Sequence, residues 1–416
     1  MNGDRFGSKV FYGTKRKKTE RGKRMYTEIV LLEGARTPFA KFCGSFRDIS
    51  ATDLGAIAAR EAIKKARIEP EEIDHVVFGN VQQSSRDAHL LARHVGLKAE
   101  VPIDVPAVTV NRLCGTGLEA IIMAARLIVT GEANVVLAGG TENMSQVPHV
   151  IRGMRWGTAL GSPTVEDWLW DGLYDTVGGC SMAITAENLA KKYHITREEV
   201  DQHALRSHER ALAAIEQGYF RQEIVPVPVK GKKGETTVDT DEHPRKTSLE
   251  QLQALQPRFL ENGVVTPGNA SGMNDGAAAV IVASAEYAAK RGLKPLARLV
   301  SWGVVGVEPQ YMGIGPVPAI RQALDKANLS IDDLDLIEIN EAFSAQYLAC
   351  QKELGFSDDK GNVNGGAVAL GHPLAASGTR ITLTLVYELA RRGKKYGASS
   401  LCIGGGQGIA AIWERL

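Results

Sequence analysis

Apolar and polar positions along this 416-residue chain change period in blocks. Residues 26–32, YTEIVLL, form an apolar run of strand length. Residues 61–77, EAIKKARIEPEEIDHVV, predict an amphipathic helix, a short acidic turn and a strand. Residues 322–338, QALDKANLSIDDLDLIE, show the same succession and align without a gap at an offset of 261 (residue 61 onto residue 322). The same offset carries LCGTG at Leu113 onto LAASG at Leu374, and ANVVLAGG at Ala133 matches ASSLCIGG at Ala398 at an offset of 265. Solenoid units run roughly 20–50 residues, so this period is too long for one. It predicts two duplicated α/β halves, each a mostly parallel sheet covered by helices.

Residues 143–273, between the halves, differ in character. VPHVIRGMRWGTALG and EDWLWDGLYDT are irregular and aromatic. Thr196 with Glu199 makes a capping box, and Gly218 is placed to end the helix containing residues 200–217. KGKKGETTVDTDEHPRK, residues 230–246, reads as a hairpin or loop. GAAAVIVAS, residues 276–284, reads as a buried strand returning to the first half. The predicted division is residues 25–142 plus about 274–296 as first half, 143–273 as an inserted loop domain, and 297–416 as second half. Long insertions between compact halves tend to carry binding function.

Composition narrows the function classes. The hydrophobic fraction is 44% and the aromatic fraction 6%, which suits packed α/β layers. A net charge of +1 points to neither nucleic acid nor an anionic membrane surface as partner. Apolar runs of strand length predict no membrane insertion. Five cysteines without a CxxC pair fit reduced thiols in a cytoplasmic protein better than a disulfide framework or a zinc ribbon. Residues 1–24 hold Arg5, Lys9, Lys15, Arg16, Lys17, Lys18, Arg21, Lys23 and Arg24 against Asp4 and Glu20. That composition is open to a transit peptide; the reading taken is a disordered basic extension before a fold starting near Met25.

Four segments carry candidate chemistry. Cys114, in VNRLCGTGLEAIIMAARLI, sits at a strand-to-helix turn, where helix N–H groups and dipole favour a thiolate and lower its pKa. On the turn alone, a nucleophile and a buried structural cysteine are equally compatible. His372, between Gly371 and Pro373, lies in a tight loop two residues before Leu374, the counterpart of Leu113. Equivalent turns of two pseudo-symmetric halves should face each other, which offers His372 as a base for Cys114. Cys402 precedes Gly404, Gly405 and Gly406, whose backbone N–H groups can serve an oxyanion. A GxGxxG phosphate loop is a weak alternative there, because no ribose-binding acid follows. Asn340 closes the strand LDLIEI, either as a holder of water or oxyanion or as a cap for the next helix.

Together these segments resemble the thiolase family. NRLCGTG resembles its nucleophile motif, NEAFSA its NEAF motif, GGAVALGHPLAASG its GHP motif and CIGGGQG its C-terminal CxGGGxG motif; GNASGMNDGAAA is a fifth match. The resemblance covers Tyr26 to Leu416. It implies a thiolase fold layered α-β-α-β-α and an acyltransferase acting on acyl-CoA thioesters. It also implies that Cys114 carries the acyl group while His372 takes its proton, and that the N–H groups of Cys114 and Gly404 hold the tetrahedral oxyanion. Cys402 would deprotonate acetyl-CoA, with the enolate oxygen held by His372 and a water on Asn340. The loop domain would hold CoA, with Ser271 at the pantetheine arm and Arg245 near the adenine. Met182, Met312 and Phe343 would line the acyl pocket. The resemblance implies no metal and no cofactor, CoA being substrate, and a homodimer or homotetramer.

Ser181 stands where acetoacetyl-specific members often carry His, which leaves the chain length open. Ketoacyl synthases share the doubled fold but use two histidines, and Asn340 stands where the first would fall. A non-catalytic acyl-CoA or lipid-binding relative would be expected to lack the nucleophile or the GHP histidine, and both are present. A nicotinamide dehydrogenase rests on the glycine run alone.

Overall fold

The computed structural model describes residues 27–231 and 234–416, so the reading of residues 1–24 lies outside it. Five strands build the first half: β1 (Ile29–Arg36), β2 (His75–Gly79), β3 (Ala107–Val110), β4 (Val135–Asn143) and β5 (Asn274–Ser284). The second half supplies β6 (Ala297–Gly306), β7 (Leu336–Ile339), β8 (Tyr396–Ile403) and β9 (Gln407–Arg415). The strand order is β3-β2-β4-β5-β1 continuing into β6-β9-β8-β7. The second half thus repeats the first, with β6 to β9 standing for β1, β2, β4 and β5. The counterpart of β3 shrinks to one bridge between Ile337 and Gly361. The halves join where Ile29 pairs with Leu299 and Leu31 with Ala297.

The expected mostly parallel sheet is corrected. Only β2–β3, β2–β4 and β7–β8 pair in parallel. The remaining pairs between these strands are antiparallel. The glycine run explains one of them. Gly404, Gly405 and Gly406 join β8 directly to β9, and Gly405 and Gly406 have φ of 81° and 80°. So short a connection permits only a hairpin. A strand follows the glycines rather than a helix, which removes the phosphate-loop reading.

Helices cover both outer faces and fill the middle. On the outside of the first half, α1 (Ala51–Ala66) and α2 (Leu91–Lys98) pack on Val30, Val76, Leu137 and Ile281. Between the two halves lie α3 (Thr116–Thr130) and, from the second half, the helix Leu374–Arg392, buried against Leu31, Val280, Leu401 and Ile409. The insertion holds α4 (Met182–Lys192) and α5 (Arg197–Glu216). On the far face, α6 (Pro316–Ala327) and α7 (Ser344–Leu354) pack on Ile337, Ile339 and Ile412. The middle-layer helix Leu374–Arg392 is α8. These are the five layers α-β-α-β-α. The reading that apolar runs are only of strand length is corrected at one place: Leu113–Thr130 is long and apolar enough to cross a membrane. It comprises the turn before α3 and α3 itself, and most of its apolar surface packs between the two halves of the sheet.

Candidate active site

The turn that carries Cys114 is held under strain. Residues Leu113–Gly115 form a short 3-10 turn directly before α3. Leu113 has a φ of 46°, a left-handed conformation costly for a branched residue. Asn111 Oδ1 accepts from Leu113 N at 2.9 Å and Thr116 Oγ1 accepts from Arg112 N at 2.8 Å, which fixes the turn. Gly115 lets Ile403 pack closely on the turn, since a Cβ there would lie 2.7 Å from Ile403 Cδ1.

Burial pushes the Cys114 thiol up to about 11, although the N–H groups of Gly404 and of Cys114 itself favour the thiolate; the Glu142 charge adds to the rise. The residue as a whole keeps intermediate exposure, so the desolvation acts on its sulfur. The pKa lowering expected from the helix N-terminus is therefore overturned: removal of water from the sulfur outweighs the two N–H groups. Cys114 rests as a thiol and needs a base.

His372 has the tautomer of a base. Ser377 Oγ donates to Pro373 O at 2.8 Å, so its lone pair faces His372 Nδ1 at 2.6 Å and Nδ1 carries the proton. Nε2 is left with a lone pair, to which Asn340 Nδ2 donates at 3.3 Å. Burial, with Arg380 second, lowers the His372 pKa to about 3, so the ring is neutral at physiological pH. Its backbone N donates to Asn274 Oδ1 at 3.2 Å. Gly371 makes this possible: its φ is 93°, and a Cβ would lie 2.2 Å from Asn274 Oδ1.

Asn340 does not cap α7, whose N-cap is Phe343. Its Oδ1 is buried without a partner, the arrangement of an amide waiting for a water or substrate atom. Cys402, near the end of β8, is buried with Met312 and Ala342, and Met182 and Phe343 pack against them. Burial raises the Cys402 thiol well above its ordinary value, with Cys114 and Cys350 adding to the rise.

A cavity of about 360 Å³ opens onto this cluster. Met182, Ser271, Phe343 and His372 line it, together with Leu374, Trp170, Phe259 and Arg258. Met312 is buried behind Met182 and Phe343, outside the cavity lining. Arg245 also stands away from the lining; its backbone N donates to His208 Nδ1 at 3.4 Å.

Sequence reasoning missed the groups that hold these loops. Glu341 accepts from Ser207 Oγ at 2.7 Å, Asn362 Nδ2 at 2.9 Å and Val368 N at 3.2 Å, tying the Asn340 loop to the His372 loop. His203 Nε2 stands 3.3 Å from the same carboxylate. Burial acts to raise the Glu341 pKa, but His203 and these donors outweigh it and bring it to about 2. Trp170 stacks on Phe259 with centroids 6.4 Å apart, forming part of the cavity wall from within the irregular aromatic segment.

A strained cysteine turn, a neutral histidine, an amide with an open acceptor and an apolar cavity suit cysteine-based acyl transfer. Comparison with known proteins shows the family. The thiolase N-terminal domain matches residues 29–286 and the thiolase C-terminal domain residues 293–415. Mitochondrial 3-ketoacyl-CoA thiolase of Bos taurus is 53% identical over 93% of this chain and 98% of its own length. Acetyl-CoA acetyltransferase of Syntrophomonas wolfei is 50% identical over 94% of this chain and 100% of its own length. The crystal structure of human mitochondrial 3-ketoacyl-CoA thiolase in complex with CoA superposes with a TM-score of 0.92 at 52% identity, covering 94% and 99% of the two chains. The chain belongs to the thiolase family of acyltransferases.

Proposed function

We propose that this protein cleaves 3-ketoacyl-CoA with CoA, and runs the reverse condensation, through an acyl group on Cys114. Support comes above all from the pairing of Asn340 with the Nε2 lone pair of His372, a buried residue of the wall of an apolar cavity. His372 Nε2 takes the Cys114 proton as the sulfur attacks a thioester carbonyl. The N–H groups of Cys114 and Gly404, aimed at that sulfur, receive the tetrahedral oxygen, and the CoA sulfur leaves with the proton held on His372 Nε2. In condensation Cys402 first gives its thiol proton to His372 Nε2, and the thiolate so formed removes the α-proton of acetyl-CoA. The enolate oxygen sits against His372 and a water on Asn340. The carbanion attacks acyl-Cys114, the new C–C bond forms, and the Cys114 sulfur leaves with the proton held on His372 Nε2, which restores both thiols and the neutral imidazole. Thiolysis runs the same steps backwards. Every proton and electron pair balances with side chains and CoA alone, so the mechanism calls for no metal and no redox group.

The Ser181 position and the aromatic wall Trp170–Phe259 favour acyl chains beyond four carbons. The test is a thiolysis series from acetoacetyl-CoA to 3-ketohexadecanoyl-CoA. Turnover rising beyond the four-carbon substrate supports the reading, and no cleavage at any length defeats it. We further propose a homotetramer assembled through residues 151–177. Trp156 is 84% exposed, Leu160 96% and Val177 86%, a large apolar surface for one segment. Light scattering on Trp156→Ser and Leu160→Ser variants should show a smaller species. A reducing, cytoplasmic setting suits the five free cysteines, and cell fractionation tests it.

A further inference from the structure

Glu142 is buried near the end of β4. Its Oε1 accepts from Asn80 Nδ2 at 3.0 Å and Gln82 N at 2.9 Å, and its Oε2 from Val81 N at 3.2 Å and Ala375 N at 3.0 Å. The first three donors belong to the loop after β2. The fourth belongs to the first turn of α8, three residues beyond His372. Val81 packs with Leu113, Cys114, Leu374 and Ala375, so this carboxylate stands between the nucleophile turn and the base.

The internal repeat gives the fourth bond its meaning. Ala375 is the counterpart of Cys114 in the second half. In the first half, the Cys114 N–H at the helix start acts on a sulfur. In the second, the equivalent helix start holds the Glu142 carboxylate. The N-terminus of a 19-residue helix attracts such an anion. We propose that Glu142 is a positioning residue: it locks the start of α8, and with it His372, onto the loop beside Cys114.

All four partners donate, which leaves no acceptor for a carboxyl proton. These donors favour the anion; burial works against it and pushes the pKa up to about 8, so the charge is complete in the higher range where Cys114, at about 11, titrates. The other titratable groups facing it are Asp275 on β5 and the Cys114 thiol. The Glu142 charge opposes ionisation of Cys114, so the sulfur stays protonated until His372 takes the proton. This role rests on the nucleophile reading of Cys114.

Glu142→Gln removes the charge and sets an N–H₂ against donors. Glu142→Asp keeps the charge and shortens the reach. The readouts are the pH profile of iodoacetamide alkylation, located by peptide mass, and kcat for thiolysis. For Glu142→Gln the Cys114 alkylation profile should move roughly one pH unit lower, with kcat down about 100-fold. Glu142→Asp should keep the wild-type alkylation profile with kcat down about 10-fold. Identical alkylation profiles in the two variants, or wild-type kcat in both, overturn the proposal. If Glu142→Gln does not fold, Glu142→Asp decides alone: a wild-type profile with reduced kcat supports the role, and a shifted profile overturns it. Label on a residue other than Cys114 defeats the nucleophile reading itself; label on Cys114 with an unmoved profile defeats only Glu142.

Discussion

Gly117 of α3 and Gly378 of α8 occupy equivalent places in the internal repeat, and each lies against the other helix's backbone. A Cβ on Gly117 would lie 2.6 Å from Ala375 O, and one on Gly378 would lie 2.3 Å from Leu118 N. This contact sets the spacing between the turn of Cys114 and that of His372. Gly117→Ala or Gly378→Ala should force the helices apart, costing about 1–3 kcal/mol of stability and about 100-fold in kcat. Thermal unfolding and thiolysis rates check both effects. Wild-type activity in either variant would show that the site tolerates a wider spacing.

Asn340→Ala removes the donor to His372 Nε2 and the unpartnered Oδ1 together. Thiolysis should slow about 100-fold. Alkylation of substrate-free Cys114 should be unchanged, since Asn340 acts on the substrate oxygen. Loss of both together would assign Asn340 to positioning of His372.

Cys402→Ala leaves the acylation groups in place. The variant should form the acyl-enzyme from acetyl-CoA at the wild-type rate and stall at condensation. Single-turnover acylation with and without the second substrate separates the steps. Lost acylation with α-proton exchange intact would reverse the assigned roles of the two thiols.

Acid stability follows from the buried histidines. Burial, with Arg245 next in effect, lowers His208 and His243 from 6.5 to about 4, and burial lowers His372 to about 3. Between the folded and unfolded values the unfolded chain binds more protons, so stability rises with pH there and falls as pH drops from 6.5 towards 3. Glu341 adds stability that is present above its ordinary 4.5 and lost as pH falls towards 2. The urea midpoint should drop between pH 7 and pH 5, and His243→Asn should flatten that slope. An unchanged slope in the variant would mean that His243 is solvated in the folded protein.

The duplicated halves were legible because the helix–turn–strand pattern of residues 61–77 recurs at 322–338. The pairing of the turns of Cys114 and His372 followed from that repeat. Asn340 and Cys402 gained their roles only through resemblance, since each alone reads equally well as a cap or a core residue. Strand direction is not legible in the sequence because 130 residues separate β4 from β5, and nothing local marks them as antiparallel neighbours. Glu142 and Glu341 were invisible for a related reason. Glu142 is held chiefly by backbone N–H groups of distant loops, and Glu341 chiefly by the side chains of Ser207, Asn362 and His203, so neither leaves a local pattern in the sequence. The Cys114 pKa was misjudged because a sequence displays the helix start but not the burial of the sulfur.

The acyl group on Cys114 is the most direct test. The purified protein is incubated with acetyl-CoA, quenched in acid, digested and read by peptide mass. The account predicts an acetyl group on the peptide containing Cys114, in wild type and in Cys402→Ala, and its absence in Cys114→Ala. An acetyl group on Cys402 or elsewhere, with Cys114 unmodified, would contradict it.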